Sequence, residues 1–358
     1  MIAVKPLVDA NLKDAKEVIL KCFPADALGV LSKAMSNPAR DINEEVGDIA
    51  YEDGIPIAFQ AVMLRRVFWG QKPLIGHVSG LAGVVPGASF KGLMAVRKAA
   101  HFAQRGRGGC KIRFGNSHCA STEQLASVMK RIAGPESCTR FLWKAVRPVD
   151  CFLYFIRRKI FKASVPKWKP FDTRNSIGFR CAKNDLDIRR KPTVDSEDFD
   201  LFFERYLKTN KGLVVSRYAR DINWIFEGRV KNGSAVVMMA YKNSFPCGYI
   251  VIYGGNNARR WQILDLIALD NDCVVLDALL ETACMFLRKH TPAMMLETCG
   301  FQPSAQPVLR KHLPHARLMG VNAFSYNYID KEFGVECERS FVASEGWFFG
   351  PFDGDLCM

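Results

Sequence analysis

The sequence lacks the features of a membrane-spanning, secreted or disordered protein. None of its apolar runs reaches the roughly 18 residues that a membrane-spanning helix needs. The N-terminal residues include acids early and no long apolar run ending in small residues, so we expect no secretory signal and a cytoplasmic location. Of the 358 residues, 49% are hydrophobic and 24% charged, which is ordinary for a folded protein. At roughly 100–200 residues per domain, this length predicts about two domains.

Cysteine and histidine are present without the spacing of a metal site. The 12 cysteines never occur as a CxxC pair, and the 6 histidines show no ligand spacing with them. In a chain without a secretory signal, scattered cysteines are typical of small buried thiols. We therefore expect neither a bound metal nor disulfide bridges.

Acidic residues are missing from a long internal segment. Gly54–Thr122 contains no Asp or Glu, although ten Lys or Arg residues lie in it, and the whole chain has a net charge of +14. A segment of one sign creates a positive local potential that attracts an anion. A phosphorylated cofactor, an anionic lipid surface and nucleic acid are the candidates, and a solvated basic face is the alternative.

Hydrophobic patterning and turn residues predict an ordered series of elements in the first half. In chain order these are a helix at 8–21, a helix at 28–35, a hairpin about Glu52–Gly54, a strand at 74–86, a turn at 87–92, a helix at 93–103 and a strand at 111–114. A strand, a turn of small residues and a helix leave main-chain amides available to bind phosphate.

The turn at 87–92 has the composition of a phosphate-binding turn. Small residues let a phosphate approach the main chain, the following helix N-terminus favours an anion, and Lys91 adds a positive charge. The turn matches neither GxxxxGK[ST] nor GxGxxG, so it predicts neither a nucleotide P-loop nor a Rossmann site. We predict unbonded amides directly after Pro86.

This order of elements resembles the GNAT superfamily of acyl-CoA-dependent N-acyltransferases, with a strand ending Val84-Val85-Pro86 and a later Phe114-Gly115-Asn116-Ser117. The resemblance implies an α/β (α+β) fold, in which a mixed, mostly antiparallel sheet is flanked by helices. It also implies acetyl-CoA or another acyl-CoA as the acyl donor. The donor-binding residues it implies are Val84 and Val85 along the pantetheine arm, Gly87, Ala88, Ser89, Phe90, Lys91 and Gly92 at the pyrophosphate, and Asn116.

Acyl transfer to an amine requires a base for the amine, a donor for the oxyanion and a proton for the leaving thiolate. The Glu that this superfamily often uses is missing, because no acid lies between Gly54 and Thr122, and Leu125 stands where its Tyr is expected. His77 is the titratable residue on the strand before the turn, so it is the candidate base. Ser117 is the candidate group beside the leaving thiolate. A buried, hydrogen-bonded His77 is the alternative.

The second half repeats the order of elements of the first. The repeat consists of a helical pattern at 216–224, a hairpin at 235–253, a strand at 261–268, a helix at 274–288 and a strand at 293–298, followed by a short helix at 308–313 and a strand at 323–328. We predict two tandem GNAT-like domains, 1–150 and 196–335, with a basic aromatic linker at 151–195 and a tail at 336–358.

The two halves differ at the phosphate turn. In the second half the corresponding Leu269–Val275 has no glycine and carries two carboxylates, which would repel a pyrophosphate. We therefore place acyl-CoA in the first half and interpret the second as a degenerate copy.

The acceptor is suggested by a resemblance of the second half. Arg220-Asp221-Ile-Asn-Trp224 and an ending at 350–355 resemble modules of bacterial cell-surface polysaccharide biosynthesis. The resemblance implies a small-molecule or lipid-linked amine of a cell-envelope precursor as acceptor. The alternative is structural, with an ion pair between Arg220 and Asp221 at a helix end and Trp224 in the core.

Aromatic and basic residues are mixed in the first part of the linker. Residues 151–169 contain no acid. A helix there would place Phe152, Phe155 and Ile156 beside three consecutive cations, which suits peripheral contact with an anionic membrane at its inner face. A linker helix packed between the domains is the alternative.

The leading functional prediction is an acyltransferase that moves an acetyl or other acyl group from acyl-CoA to an amine. Two alternatives stay open. One is a catalytically silent tandem that binds coenzyme A or nothing. The other is an aminoacyl-tRNA-dependent transferase of a related tandem fold, although nucleic acid is not expected, since no RNA-binding motif with interleaved aromatic residues is present.

Overall fold

A computed structural model describes most of the chain. The described residues are 1–23, 27–40, 45–88, 91–92, 95–96, 111–119, 138–160, 171–176, 178–255, 259–298, 305–328, 332, 335 and 347–348. The helix predicted at 93–103 falls outside them except for residues 95 and 96, which are helical, and Ser89 and Phe90 also fall outside.

The first half begins with a strand and two helices. Its elements are β1 (Ile2–Pro6), α1 (Leu12–Cys22), α2 (Leu28–Met35), β2 (Gly47–Glu52), β3 (Ile55–Trp69), β4 (Lys72–Val84), β5 (Ile112–Cys119) and β6 (Cys138–Ala145). The predicted helix at 28–35 is confirmed, and so is the hairpin, whose turn residues Asp53 and Gly54 both have positive φ. The sequence does not indicate β1, because its five residues are too few for a clear period.

The second half follows a helix, α3 (Pro148–Lys159). Its elements are β7 (Arg180–Lys183), β8 (Leu186–Lys191), α4 (Ser196–Thr209), β9 (Leu213–Val215), α5 (Ala219–Lys231), β10 (Ala235–Lys242), β11 (Phe245–Tyr253), β12 (Arg260–Ala268), α6 (Cys273–His290), β13 (Met295–Thr298), α7 (Gln306–His312), β14 (His315–Tyr328) and β15 (Trp347–Phe348). The predicted hairpin, strand and helix are confirmed as β10–β11, β12 and α6. The prediction omits α4, although Asp195 marks its start by accepting a hydrogen bond from the Asp198 amide.

The strands of both halves form one continuous sheet in the order β1-β2-β3-β4-β5-β14-β6-β13-β12-β11-β10-β8-β7. Each half contributes a strand to the other, because β14 pairs with β5 and β6 pairs with β13. In addition, β9 pairs with the end of β3 at Val67–Trp69. Backbone hydrogen bonds therefore join the halves. The domain boundaries proposed from the sequence stay predictions.

Both halves contain the same parallel pair of strands. In each half an antiparallel hairpin leads into a strand, helical residues follow, and the next strand pairs parallel to the one before: β4 with β5, and β12 with β13. Most other neighbours in the sheet are antiparallel. The predicted fold class, two GNAT-like units with mixed, mostly antiparallel strands, is confirmed.

One hydrophobic cluster extends across both halves on one face of the sheet. It joins Val18 and Ile19 of α1 to Phe199 and Phe202 of α4 and to Phe226 of α5. A second cluster, around Trp261 and the inner face of α6, covers the opposite face of the second half. Burying each such aromatic or aliphatic side chain contributes about 1.5–3 kcal/mol, so the shared cluster stabilises the two halves as one body.

Six cysteines are free thiols, namely Cys22, Cys151, Cys181, Cys247, Cys273 and Cys284. Three of them are buried as predicted, and burial raises the pKa of the Cys247 thiol to about 11. Cys273 departs from the prediction because it is exposed at the first position of α6.

Candidate functional site

The first half has an open strand edge. Pairing between β4 and β5 joins Gly76–Val78 to Ile112–Phe114 and ends there, although β4 continues to Val84 along β3. Within the described ranges, no strand pairs with the other edge of Ser79–Val84, here called the β4 edge. At about 3.3 Å per residue the β4 edge is roughly 17 Å long. Its N–H and C=O groups can bind an extended chain as an added strand would.

A β-bulge explains why the two strands part. Val62 of β3 pairs with Ser79 of β4, and the next pairing joins Gln60 to Ala82. β4 therefore carries one extra residue at the point where its pairing with β5 ends. A bulge bends its strand and increases the local twist. β12 has the same irregularity, between its pairings at Ile263 and Asp265. Each half therefore has a cleft, the first between the β4 edge and β5, the second between β12 and β13.

The first cleft ends at a tight turn. The Val85 amide donates to Ile57 O (2.8 Å), and the Ala88 amide donates to Val85 O (2.9 Å). Gly87 has φ +83°, the left-handed value that glycine adopts at the third position of such a turn. The prediction of unbonded amides after Pro86 is wrong for Ala88, because the turn itself uses that amide.

Lys91, Gly92 and residues 95 and 96, which follow the turn, are helical. Gly92 lies against β3, since a Cβ at Gly92 would be 2.6 Å from Ile57 Cδ1. This glycine therefore allows close packing of helix on strand. Lys91 is exposed beside it. Val84, at the end of the β4 edge, packs against the small cluster that includes Ala58 and Val96.

The candidate catalytic residues lie near the closed end of the first cleft. His77 is on β4, one residue before its pairing with β5 ends, and its side chain is 1% exposed. The alternative prediction, a buried and hydrogen-bonded His77, is therefore confirmed for its burial. Asn116 and Ser117 are on β5 beyond the last pairing, opposite Phe324 and Ala323 of β14. The structure thus brings both β5 residues to the wall facing the β4 edge, and a strand of the second half supports that wall.

Beyond its last pairing with β13, β12 carries Asp265, whose carboxylate is bonded within the protein. Tyr249 donates a hydrogen bond to the Asp265 carboxylate (2.5 Å), and the Arg217 guanidinium lies 3.4 Å from both carboxylate oxygens. All three side chains are fully buried. The Thr298 hydroxyl donates to Ile263 O (3.2 Å), just past the last pairing of β12 with β13. Asp265 is therefore engaged within the protein.

The N-terminus of α6 is also occupied. The Asp272 side chain accepts from the amides of Val274 (2.8 Å) and Val275 (3.5 Å), as an N-cap does. These amides correspond to the ones that the first half would offer to a phosphate. An anion would have to displace a bound carboxylate, which agrees with the prediction that places the donor in the first half.

The residues that suggested an acceptor class make contacts between the halves. Arg66 of β3 donates a hydrogen bond to Asp221 (2.5 Å), so the partner of Asp221 is not the neighbouring Arg220. The Trp224 indole donates to Lys33 O of α2 (2.9 Å). The structural alternative therefore holds in outline, with a different partner for Asp221. Sequence could not identify Arg66, because it lies 155 positions away.

One group of described side chains has metal-ligand geometry. Asp277, Glu281 and His312 each bring a ligand atom within 4.8 Å of the others. Lys311 is 2.6 Å from Asp277, and Lys183 pairs with Glu281. Two ammonium groups at the carboxylates oppose a cation, so we assign no metal here.

No described helix is both long enough and apolar enough to cross a bilayer.

Solved structures share this architecture along almost the whole chain. A GCN5-related N-acetyltransferase from Kribbella flavida superposes with a TM-score of 0.58 at 11% identity, covering 92% of this chain and 72% of that one. A tandem GNAT protein from the clavulanic acid biosynthesis pathway gives 0.51 at 10% identity, covering 92% and 99%. The chain has the tandem GNAT fold.

Saccharomyces cerevisiae N-myristoyltransferase with bound myristoyl-CoA also superposes on the chain, with a TM-score of 0.53 at 11% identity, covering 91% of this chain and 79% of that one. No protein-family model matches the chain, and no curated protein sequence matches it either. At such low identity the likeness establishes the fold alone.

Proposed function

We propose that the chain transfers an acyl group from acyl-CoA to an amine, with the donor held in the first cleft. The observation that carries the proposal is the β4 edge, which no described strand pairs and which leads into the turn at 85–88. The amides of a pantetheine arm can pair with such an edge as an added strand. One neighbour in the fold comparison holds myristoyl-CoA, which supports a CoA-linked donor.

The end of the first cleft suits the diphosphate of the donor. A Cβ on Gly87 would meet no atom within 4 Å, so the main chain is approachable there. Lys91 is exposed at the start of the helical residues, where the helix dipole also favours an anion. The absence of Asp and Glu from Gly54–Thr122 leaves no nearby carboxylate in the sequence to oppose it.

The chemistry requires a proton acceptor for the amine and a proton for the leaving thiolate. With the diphosphate at the turn, the thioester would lie at the closed end of the cleft, where β4 carries His77 and β5 carries Ser117. We assign His77 as the base and Ser117 as the group beside the thiolate. The nitrogen–carbon bond forms as the carbon–sulfur bond breaks, and the amine proton leaves through His77. Asp221 and Trp224 suggested a cell-envelope acceptor, but both residues contact the first half and so do not specify one. We therefore propose only that the acceptor is an amine.

The first test is donor binding. We expect acetyl-CoA or a longer acyl-CoA to raise the melting temperature, because a ligand at 100 times its Kd stabilises by about 2.7 kcal/mol. Lys91→Glu should abolish the rise, whereas Lys16→Glu, an equally exposed reversal on α1, and Asp270→Asn should leave it intact. A chain that no acyl-CoA or free coenzyme A stabilises would refute the proposal.

The second candidate is a catalytically silent module that binds coenzyme A. The burial of His77 favours it, because a general base must reach its substrate. Release of free thiol from acyl-CoA in the presence of assorted amines separates the two functions. If the chain is an enzyme, we expect amine-dependent release of thiol. His77→Gln should lower the rate of that release by at least tenfold while donor binding persists. Donor binding without any release would favour the silent module.

A further inference from the structure

Helix α3 (Pro148–Lys159) presents a row of large apolar side chains to solvent. Val149 is 70% exposed, Phe152 64%, Leu153 48% and, at the residue after the helix, Ile160 67%. At about 100° per residue, these four side chains fall within an arc of roughly 100° around the helix. We call this arc the α3 apolar face. Leaving so much apolar surface together in water is unfavourable, so it indicates an interaction site.

The other side of α3 packs on the protein. Cys151, on the side opposite the α3 apolar face, is buried, and the Arg259 guanidinium lies over the ring of Tyr154 at 5.8 Å. Arg147, at the start of the helix, donates to Arg288 O (2.7 Å) and Thr291 O (2.8 Å). The helix is thus held in one orientation, and its apolar face points away from the protein.

Positive charge accompanies the α3 apolar face. Arg157 is exposed on the helix, and the only acid of α3, Asp150, lies 3.9 Å from Arg147. The sequence continues through Arg158, Lys159 and Lys162 with no acid before Asp172. An exposed apolar stripe next to cations is the composition of a helix that lies in the interface of an anionic bilayer.

We propose that α3 binds the surface of an anionic phospholipid bilayer. The α3 apolar face lies between headgroups and acyl chains, and the exposed Arg157 reaches the lipid phosphates. Charge complementarity favours lipid over a second copy of the chain, because self-association through α3 would bring like charges together in a protein of net charge +14. This goes beyond the proposed acyl transfer and does not depend on it.

The test is co-sedimentation of the full chain with vesicles of phosphatidylcholine, with and without about one third phosphatidylglycerol. We expect binding to the anionic vesicles that weakens with salt, and little binding to the neutral ones. Phe152→Ser/Leu153→Ser should lower the partition coefficient at least tenfold, and Arg157→Glu should lower it as well. Leu20→Ser/Val274→Ser, which removes two comparably exposed apolar side chains from other helices, is the matched control and should bind as the original does.

Three results would overturn the proposal. The first is that the original chain does not bind anionic vesicles, and the second is that the α3 double variant and its control partition equally. The third is a dimer by light scattering that Phe152→Ser/Leu153→Ser converts to monomer, which would assign the α3 apolar face to a second copy. Because all the substituted side chains are exposed, circular dichroism and melting temperature should match those of the original chain. An unchanged melting shift with acyl-CoA would show that the lipid site is separate from the donor site.

Discussion

The Arg66 guanidinium of β3 binds the Asp221 carboxylate of α5, with 2.5 Å between Nη2 and Oδ2. The two residues come from different halves, and their side chains are only 13% and 6% exposed. Ser216 joins the same group, because its amide donates to Arg66 O (2.8 Å) and its hydroxyl donates to Asp221. This ion pair therefore fixes the start of α5 against the first half.

Breaking this pair should destabilise the whole protein. We expect Arg66→Met to lower the free energy of unfolding by about 3 kcal/mol, since it leaves a buried carboxylate without its charged partner. Urea denaturation measures the change. Arg174→Met, which breaks the exposed pair with Asp172, is the control and should leave the urea midpoint unchanged. A cost for Arg66→Met no larger than that of the control would mean that the pair does not join the halves energetically.

The buried group of Arg217, Tyr249 and Asp265 should behave as structure and not as catalytic machinery. Asp265→Asn removes the negative charge of the buried pair between Asp265 and Arg217, so we expect a loss of about 3–5 kcal/mol. Tyr249→Phe removes one hydrogen bond to a charged group and should cost about 1.5–3 kcal/mol. Both are measured by chemical denaturation. Tyr249→Phe with wild-type stability but no acyl transfer would instead assign the group to the reaction.

Gly87 offers a test of the turn at the end of the first cleft. Gly87→Ala adds a methyl group in open space but forces alanine to φ +83°, so we expect a loss of about 1 kcal/mol. Gly29→Ala also meets open space, but it lies within α2 with no positive φ, and it should stabilise by roughly 0.5–1 kcal/mol. Thermal denaturation of the two variants should therefore move in opposite directions. Equal changes in melting temperature for the two variants would show that the turn changes conformation to accept alanine at position 87.

The carboxylate of Asp187 should contribute stability that depends on pH. Burial would raise its pKa, but hydrogen bonds from Arg180 and Arg189 outweigh that effect and hold the pKa below its ordinary value. A lowered folded-state pKa stabilises the protein above the unfolded pKa of about 3.9, and the contribution is lost as the pH falls through the folded value.

Asp187→Asn is therefore expected to lower the free energy of unfolding at pH 7, by less than about 1 kcal/mol because Arg180 and Arg189 are largely exposed. The difference in the free energy of unfolding between the variant and the original chain should become smaller below pH 4. Denaturation curves at several pH values measure it. A gap that widens on acidification would contradict the lowered pKa.

Much of the fold could be predicted because its signals are local. The apolar stripe of α2 and the turn residues Asp53 and Gly54 act within a few positions, so the helix and the hairpin were predictable. The short strands β1 and β9 have too few residues for a period. The candidate site was predicted in part, since the positions of Val84 and Gly87 follow from the strand and turn pattern.

Other parts of the site depend on distant segments. Ser117 lies on a strand whose neighbour, β14, is about two hundred positions later, and that pairing supports one wall of the first cleft. Asp221 looked like a partner of Arg220, but its actual partner comes from β3. No local pattern in the sequence specifies either relationship.

The order and type of most of the longer helices and strands, the repeat and the basic first half are properties of the sequence alone, because they arise from periodicity, turn chemistry and net charge over short stretches. The exchange of β6 and β14, the two clefts and the buried pair of Arg217 and Asp265 became apparent only in three dimensions. The physical reason is that strand pairing and buried ion pairs are decided by which distant surfaces fit together, and periodicity carries no information about the partner.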